Sequence, residues 1–229
     1  MKISIIIPCY NELKTVEKLI NRVFNQTSLD KEIIVIDDGS TDGTSLILDK
    51  IKDKIDILII NEKNFGKGYS LNKGIEKSNG DIVLIQDADL EYDPSDYDKL
   101  IKPIISGEAD VVYGSRYTGS QEKRVLYFWH TIGNSFLTLL SNMLTNFNLT
   151  DMENCYKIFK SEIIKGIKIE ENRFGFEPEI TAKLSKLKNL RIYEVGVKYY
   201  GRQYNEGKKI TWKDGFSAIR CIFLYNMFR

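Results

Sequence analysis

Ile33-Ile34-Val35-Ile36-Asp37-Asp38-Gly39-Ser40-Thr41-Asp42-Gly43 is the stretch from which the fold can be read. Its first four residues are apolar without alternation, so a strand built from them has no solvent face and must be covered on both sides. That is the condition of a parallel sheet packed between helices. The acids and glycines arrive only where the run stops, and in such sheets ligands gather at the carboxyl ends of strands. Comparable runs occur at residues 3–8, 55–60, 82–86 and 111–113. The segments between them have helical spacing: Leu13, Val16, Leu19, Ile20 and Val23; Leu46, Ile47 and Ile51; Leu71 and Ile75; Tyr97, Leu100, Ile101 and Ile104. Strand and helix alternate, which predicts an α/β fold with a mainly parallel sheet flanked by helices. Beyond Gly119 the rhythm breaks into a long aromatic-rich helical pattern at 125–149, a polar turn, a helix near 178–187, a strand near 192–197 and a C-terminal helix from about Trp212.

The 229 residues suit a single domain, 1–229, with a ligand-binding half at 1–118 and a C-terminal half at 119–229. Lys and Arg total 33 against 32 Asp and Glu, a net charge of +1, so no long-range field favours nucleic acid. Cys9, Cys155 and Cys221 are far apart and His130 is the single histidine, which argues against a disulfide framework and a Cys/His zinc site. A reducing, cytoplasmic setting is expected. The apolar start at residues 3–7 is too short for a signal peptide, and no uncharged run reaches the length of a membrane span.

Chemistry is expected at the strand ends. The first strand runs into Pro8-Cys9-Tyr10-Asn11-Glu12 and the second into Asp37-Asp38, so acidic side chains face one crevice and can accept hydrogen bonds from a ribose or a base edge. Ser40, Thr41 or Asp42 also suits the cap of the following helix. The fourth strand ends in Gln86-Asp87-Ala88-Asp89-Leu90-Glu91. In extended backbone Asp87 and Asp89 point to one side and can share a hard divalent ion, Mg2+ or Mn2+, whose open positions take diphosphate oxygens. No phosphate-loop motif occurs, and Gly66-Lys67-Gly68 lacks the third glycine of a dinucleotide fingerprint. The Gly66-Lys67-Gly68 stretch then turns the chain into its third helix, with Lys67 either near a diphosphate or, as the favoured expectation, in solvent.

The ordered set Ile6-Ile7-Pro8-Cys9-Tyr10-Asn11-Glu12, Ile34 through Thr44, Asn64-Phe65-Gly66-Lys67-Gly68 and Gln86-Asp87-Ala88-Asp89-Leu90 closely resembles the family 2 glycosyltransferases of the GT-A fold. Within that family the dolichol- and polyprenyl-phosphate sugar transferases are the nearest likeness. The resemblance implies that Pro8, Tyr10, Glu12, Ile36 and Asp38 hold the nucleoside of a nucleoside-diphosphate sugar. It assigns Asp87 and Asp89 to the metal and lays Ala88 along the donor, with Glu91 where relatives often carry glutamine. Arg116, Arg202 and Lys208 match basic positions that meet phosphates. It further implies inversion at the anomeric centre and an acceptor half beyond residue 118. A phosphate acceptor would need no base; a sugar hydroxyl of a glycan would need one, with Glu177 or Glu179 the candidates. The rivals are a sugar nucleotidyltransferase, disfavoured by the acidic first loop, and a non-catalytic nucleotide-sugar-binding module.

Two further expectations concern surfaces. Leu126, Trp129, Ile132, Gly133, Phe136, Leu137, Leu140 and Leu144 recur at helical spacing, and Phe216, Ile219, Phe223, Met227 and Phe228 lie near Arg220 and Arg229. This pattern suits either packing on the sheet or a peripheral seat on the cytoplasmic face of a membrane. Residues 200–209, with Gly201 and Gly207 bracketing Arg202, are expected to close over a diphosphate.

Overall fold

The structure, a computed structural model, describes residues 1–26, 30–119, 124, 125, 127–202 and 212–229. Lys208 and most of the loop expected at 200–209, like Leu126, lie outside the described residues. Strands β1 (Ile3–Cys9), β2 (Lys31–Asp37), β3 (Ile57–Ile60) and β4 (Ile82–Ile85) form a parallel block. Helices α1 (Val16–Asn25), α2 (Thr44–Lys50) and α3 (Lys67–Lys77) connect them, and α4 (Tyr97–Ile105) follows β4. The unbroken apolar runs are explained by cover on both faces: Ile5, Ile6, Ile7, Ile34, Val35 and Ile36 are all fully buried. Helix α3 lies close enough that a Cβ on Gly74 would stand 2.4 Å from Ile6 Cγ2 and 2.9 Å from Ile36 Cδ1. Ile36 is thus a core side chain under α3. Its expected contact with a nucleoside is limited to its backbone.

The sheet has seven strands in the order β3-β2-β1-β4-β6-β5-β7. The chain winds to one side of β1 through β2 and β3, then crosses to its other side with β4, and the carboxyl ends of β1 and β4 flank the crevice this reversal opens. The strand read at 55–60 shortens to β3, an edge strand with Ile60 57% exposed, because only β2 lies beside it. Helix α2 presents Thr44 and Leu48 to the core, and Leu46 faces outward.

The second half departs more from the expected pattern. β5 (Val111–Ser115) does not join β4. Between them lies β6 (Lys157–Lys160), antiparallel to both, with Ile158 opposite Leu84 on one side and Val112 on the other. Strand β6 has four residues with lysine at each end, and no apolar run or alternation marks it in the sequence. β7 (Ile192–Gly196) then pairs parallel with β5.

Helix α5 (Phe128–Thr145) is built inside out. It buries Thr138, Ser141 and Thr145, while Phe128, Trp129, Ile132, Phe136, Leu139 and Met143 are exposed. The cause is the loop beneath it, whose backbone needs polar partners. Thr138 Oγ1 accepts the N–H of Met152, and Asn142 both donates to the carbonyl of Leu149 and accepts its N–H. Among the described residues of the expected stripe, Leu137 and Leu140 are the large apolar side chains that lean against the core. Short helix α6 (Ser161–Lys165), α7 (Phe176–Ser185) and α8 (Trp212–Phe223) complete the layer, and α5 packs on α7 and α8. The chain ends in a π-helical turn, Leu224–Phe228, in which Tyr225 is buried and Met227 and Phe228 are exposed.

Candidate active site

The ends of β1 and β2 are knitted into one rim. The N–H of Asn11 donates to Ser40 Oγ, that of Thr41 to Asn11 Oδ1, and that of Glu12 to Thr44 Oγ1. Asp42 accepts from Leu13 N–H and from Thr44 N–H and so braces the turn into α2, whose N-cap is Gly43 rather than Ser40, Thr41 or Asp42. Asp38 is turned inward. Its carboxylate takes Asn61 Nδ2 at 2.8 Å and the N–H groups of Phe65 and Gly66 at 3.1 and 2.7 Å, which fixes the loop before α3. The same loop passes so close that a Cβ on Gly39 would stand 2.5 Å from the backbone of Lys63. Asp38 is therefore a loop anchor here rather than an open contact for a ribose. Pro8 and Tyr10 are half-buried along the rim.

β4 delivers the acids. Gln86, fully buried, accepts the hydroxyls of Tyr97 and Tyr156 at 2.8 Å each and donates to the carbonyl of Asp87 at 2.9 Å, which fixes the chain as it leaves the strand. Asp87, Ala88 and Asp89 then lie on a turn, with Leu90 in the left-handed region at φ 63°. The expectation of extended backbone fails there, and the two carboxylates meet different cations.

Asp87 Oδ1 pairs with Lys67 Nζ at 2.9 Å, and the same ammonium reaches Glu177 Oε1 at 2.8 Å. Lys67 is not in solvent. Gly66 and Gly68 place its backbone against the 171–173 segment, where a Cβ on Gly68 would stand 2.0 Å from the carbonyl oxygen of Glu171. Burial disfavours the ammonium, but Asp87 and Glu177 outweigh it and hold the Lys67 pKa well above the lysine value. Burial likewise raises Asp87, and Lys67 more than offsets this, leaving its carboxyl below the usual range.

Asp89 faces Arg202. The guanidinium donates to Asp89 Oδ2 at 2.7 Å and reaches Glu12 Oε2 at 3.2 Å, while the Arg202 N–H donates to Glu91 Oε1 at 2.8 Å. Burial first, then the charges of Glu91 and Asp87, push Asp89 up to about 7 against the pull of Arg202. Two carboxyls one residue apart are thus driven in opposite directions. Excess negative charge around Asp89 is the donor chemistry a hard divalent ion takes, as an oxygen set completed by phosphate and water. Among the described residues no ready-made cluster of three or more His, Cys, Asp or Glu ligands stands at metal-binding geometry. Asp87 and Asp89 would therefore hold the ion as part of a shell.

A second cluster lies beyond β6. Arg116, on the exit from β5, donates from Nε and Nη2 to the two oxygens of Asp151 at 2.7 and 2.6 Å, and from Nη2 to Asn134 Oδ1 at 3.0 Å. Asp151 is fully buried, and the N–H groups of Thr150 and Asp151 are held in turn by Glu194. The Arg116 guanidinium also lies 5.2 Å from the ring centroid of Tyr199. Tyr199 joins the clusters, since its hydroxyl donates to Glu91 Oε2 at 3.0 Å.

Glu179 does not belong to the site. Its fully buried carboxylate accepts the N–H groups of Glu170 and Glu171 at 2.7 and 2.8 Å and pairs with Lys183 at 2.6 Å. It anchors the segment before α7 and cannot serve as a base. The structure thus brings together Glu12, Asp87, Ala88, Asp89, Glu91 and Arg202, adds Lys67, Glu177 and Tyr199, and sets Arg116 nearby. Lys67 had one signal in the sequence: glycine on both sides marks a backbone seated in a tight place.

A mainly parallel seven-stranded α/β sheet flanked by helices is the fold of the GT-A glycosyltransferases. The family described as glycosyl transferase family 2 matches residues 4–167, and the chain belongs to it. It is 28% identical over 228 residues to a dolichol-phosphate mannosyltransferase of Pyrococcus furiosus, covering 97% of this chain and 63% of that protein. It is 27% identical over 243 residues to the UDP-N-acetylglucosamine–dolichyl-phosphate N-acetylglucosaminyltransferase of Methanococcus voltae, covering 98% of this chain and 96% of that one. In fold it is similar to glucosyl-3-phosphoglycerate synthase of Mycobacterium tuberculosis, crystallised with Mn2+, UDP and glucosyl-3-phosphoglycerate, at a TM-score of 0.74 and 20% identity over 98% of this chain and 80% of that one.

Proposed function

We propose that this chain transfers a sugar, with inversion, from a UDP- or GDP-sugar to a polyprenyl phosphate at a membrane surface. The observation that carries the reading is Tyr199, which connects the acidic cluster at Asp89 and Glu91 to the Arg116 guanidinium. A donor diphosphate belongs at the first and an anionic acceptor at the second. The two relatives, both dolichyl-phosphate sugar transferases, support the acceptor class.

Pro8, Tyr10 and the backbone of Ile36 form the rim for the nucleoside. Asp87 and Asp89 would hold Mg2+ or Mn2+, which when bound offsets charge on the leaving diphosphate. Arg202 now braces Glu12, Asp89 and Glu91, and its planar fork suits two phosphate oxygens once the ion neutralises those acids. Arg116, kept cationic by Asp151, orients the acceptor phosphate and needs no base beside it.

The alternative, transfer to a sugar hydroxyl of a glycan, needs a general base. Of the two candidates Glu179 is spent on backbone, and Glu177 is paired with the Lys67 ammonium. That pairing disfavours the alternative. A membrane seat is supported by the outward apolar face of α5 and by Phe216, Phe223, Met227 and Phe228 near the C-terminus. Among the described residues no helix is long and apolar enough to cross a membrane.

The test is transfer from radiolabelled UDP-N-acetylglucosamine or GDP-mannose to undecaprenyl or dolichyl phosphate in detergent, with Mn2+ and with chelator. Chelator-sensitive formation of an acid-labile lipid-linked sugar is expected. Transfer to oligosaccharide hydroxyls alone, or no turnover with tight donor binding, would replace this reading with the glycan transferase or the binding module.

A further inference from the structure

Glu153 has no part in the chemistry above, and its surroundings give it one. Because β6 runs antiparallel between β4 and β5, the turn that leads into it, residues 151–156, lies at the same end of the sheet as the exits of β4 and β5. That turn is braced on every side. Asn154 Nδ2 donates to Asp151 Oδ2 at 3.2 Å and Asn154 Oδ1 accepts the N–H of Tyr156 at 2.9 Å. The buried Lys157 ammonium donates to the carbonyls of Met152 at 2.9 Å and Asn154 at 2.5 Å. Against β5 the fit leaves no room for a side chain at Gly114, whose Cβ would stand 2.9 Å from Asn154 Oδ1. Glu153 is thus presented by a frame that does not need it.

Its Oε1 is covered by protein and accepts no hydrogen bond, one of three such side-chain atoms among the described residues. A covered carboxyl oxygen without a donor is costly and uncommon. Burial, then Glu177, raise its pKa to about 8 against Lys157 and Arg116, so the protein around it does not compensate for the missing donor.

Position along the sheet says what the donor should be. The nucleoside rim lies over β2 and β1, the acids for the diphosphate over β4, and Arg116 and Tyr199 over β5 and β7. β6 is the strand between, so a nucleotide sugar laid out from rim to acids carries its sugar onto the turn that holds Glu153. We propose that the carboxyl of Glu153, a residue only partly buried, turns its unpartnered Oε1 to receive a hydrogen bond from a hydroxyl or amide N–H of the transferred sugar and so selects which sugar is taken. This rests on the function proposed above. A pocket with a buried partner for a substrate group discriminates against analogues lacking that group.

The test compares binding of UDP and GDP with binding of UDP-glucose, UDP-N-acetylglucosamine and GDP-mannose, all with Mn2+, by calorimetry on wild type, Glu153→Ala and Glu153→Gln. The sugar nucleotide that wild type binds most strongly relative to its own nucleoside diphosphate is the probe. In Glu153→Ala that advantage should fall by about tenfold or more while affinity for the bare diphosphate stays within about twofold, and Glu153→Gln, which keeps an acceptor oxygen, should recover part of it. The melting temperature of both unliganded variants should match or exceed that of wild type, because the lost oxygen had no partner. An unchanged ratio of sugar nucleotide to diphosphate affinity in Glu153→Ala overturns the proposal, and so does a clear fall in its unliganded melting temperature, which would make Glu153 a structural prop. If wild type binds neither UDP nor GDP, the glycosyl-transfer reading falls first and this one with it.

Discussion

Arg202 Nη2 donates to Asp89 Oδ2 at 2.7 Å across a separation of 113 residues, so the segment after β7 is fastened to the exit of β4 by the very carboxylate assigned to the metal. Arg202 therefore sits as the resident cation of the acidic cluster. Replacing Asp89 should remove the ion's anchor without disturbing the core, since its side chain lies at the crevice. Asp89→Asn should lower turnover by at least about 100-fold, the scale on which single preorganised electrostatic groups act, with circular dichroism unchanged. A folded variant with near-normal turnover would refute the assignment.

The protonation of Asp89 gives a pH signature. Its carboxyl is raised from 3.8 to about 7 in the folded chain, so it binds its proton more tightly there than when unfolded. This group's contribution to stability is then full below about pH 4 and is lost as pH rises through about 7. The ion requires the ionised form, so below that value binding must first expel a proton. The rise in melting temperature on adding Mn2+ should be small at about pH 6, larger at about pH 8, and absent at both in Asp89→Asn. A pH-independent increment would show that Asp89 is not a ligand.

Lys67 is the ammonium between Asp87 and Glu177, and removing one partner of a buried pair leaves the other charge uncompensated. Lys67→Met should cost about 3 kcal/mol, or roughly 6–12 °C in melting temperature for a chain of this size. Adding Glu177→Gln to it should return part of the loss. If the single variant melts like wild type, Lys67 is a solvated surface residue after all.

The outward face of α5 can be tested without touching the core. Trp129 and Phe136 are 78% and 53% exposed, so Trp129→Glu with Phe136→Glu should leave the melting temperature within about 1 °C while cutting flotation with anionic liposomes by roughly half or more. Truncation after Gly215 is the poorer probe, because it would strip the buried Cys221, Ile222 and Tyr225. Equal flotation of wild type and the double variant would assign the apolar face to another partner.

Far from the crevice, Asp110 ties three strands together. It pairs with Lys160 at the end of β6 and with Arg191 just before β7, and these partners hold its carboxyl well below the usual range. A depressed carboxylate contributes stability above its unfolded value of 3.8, and that contribution is lost as pH falls below it. Asp110→Asn should cost about 2 kcal/mol at neutral pH and flatten the acid side of the stability profile. A variant that follows the wild-type profile through the acid range would contradict this.

The parallel block was legible because its strands are apolar throughout and their ends change character within one or two residues, as at Asp37, Asp38 and Asp87. β6 was not, since four residues with a lysine at each end carry no periodicity, and its partners on β4 and β5 lie 74–78 and 44–48 residues earlier. Asp38 and Glu179 illustrate the other failure. A carboxylate at a strand end or a helix start looks alike in sequence whether it awaits a ligand or caps a loop, and only the positions of Phe65, Gly66, Glu170 and Glu171 decide. Lys67 looks solvated in sequence for the same reason, because its partner Glu177 lies 110 positions away.

The placing of β6 also sets an order of events during synthesis. β1 to β4 can pair as each emerges, since every strand after the first finds a neighbour already made. β5 cannot: its partners are β6 and β7, so residues 111–115 have no strand to dock on until residues 157–160 have been made. For that interval the nascent chain carries a completed parallel half beside an apolar strand with both edges open, which is the form in which strands aggregate or recruit chaperones. The second half of the sheet closes only when β6 slides between two strands that were made before it.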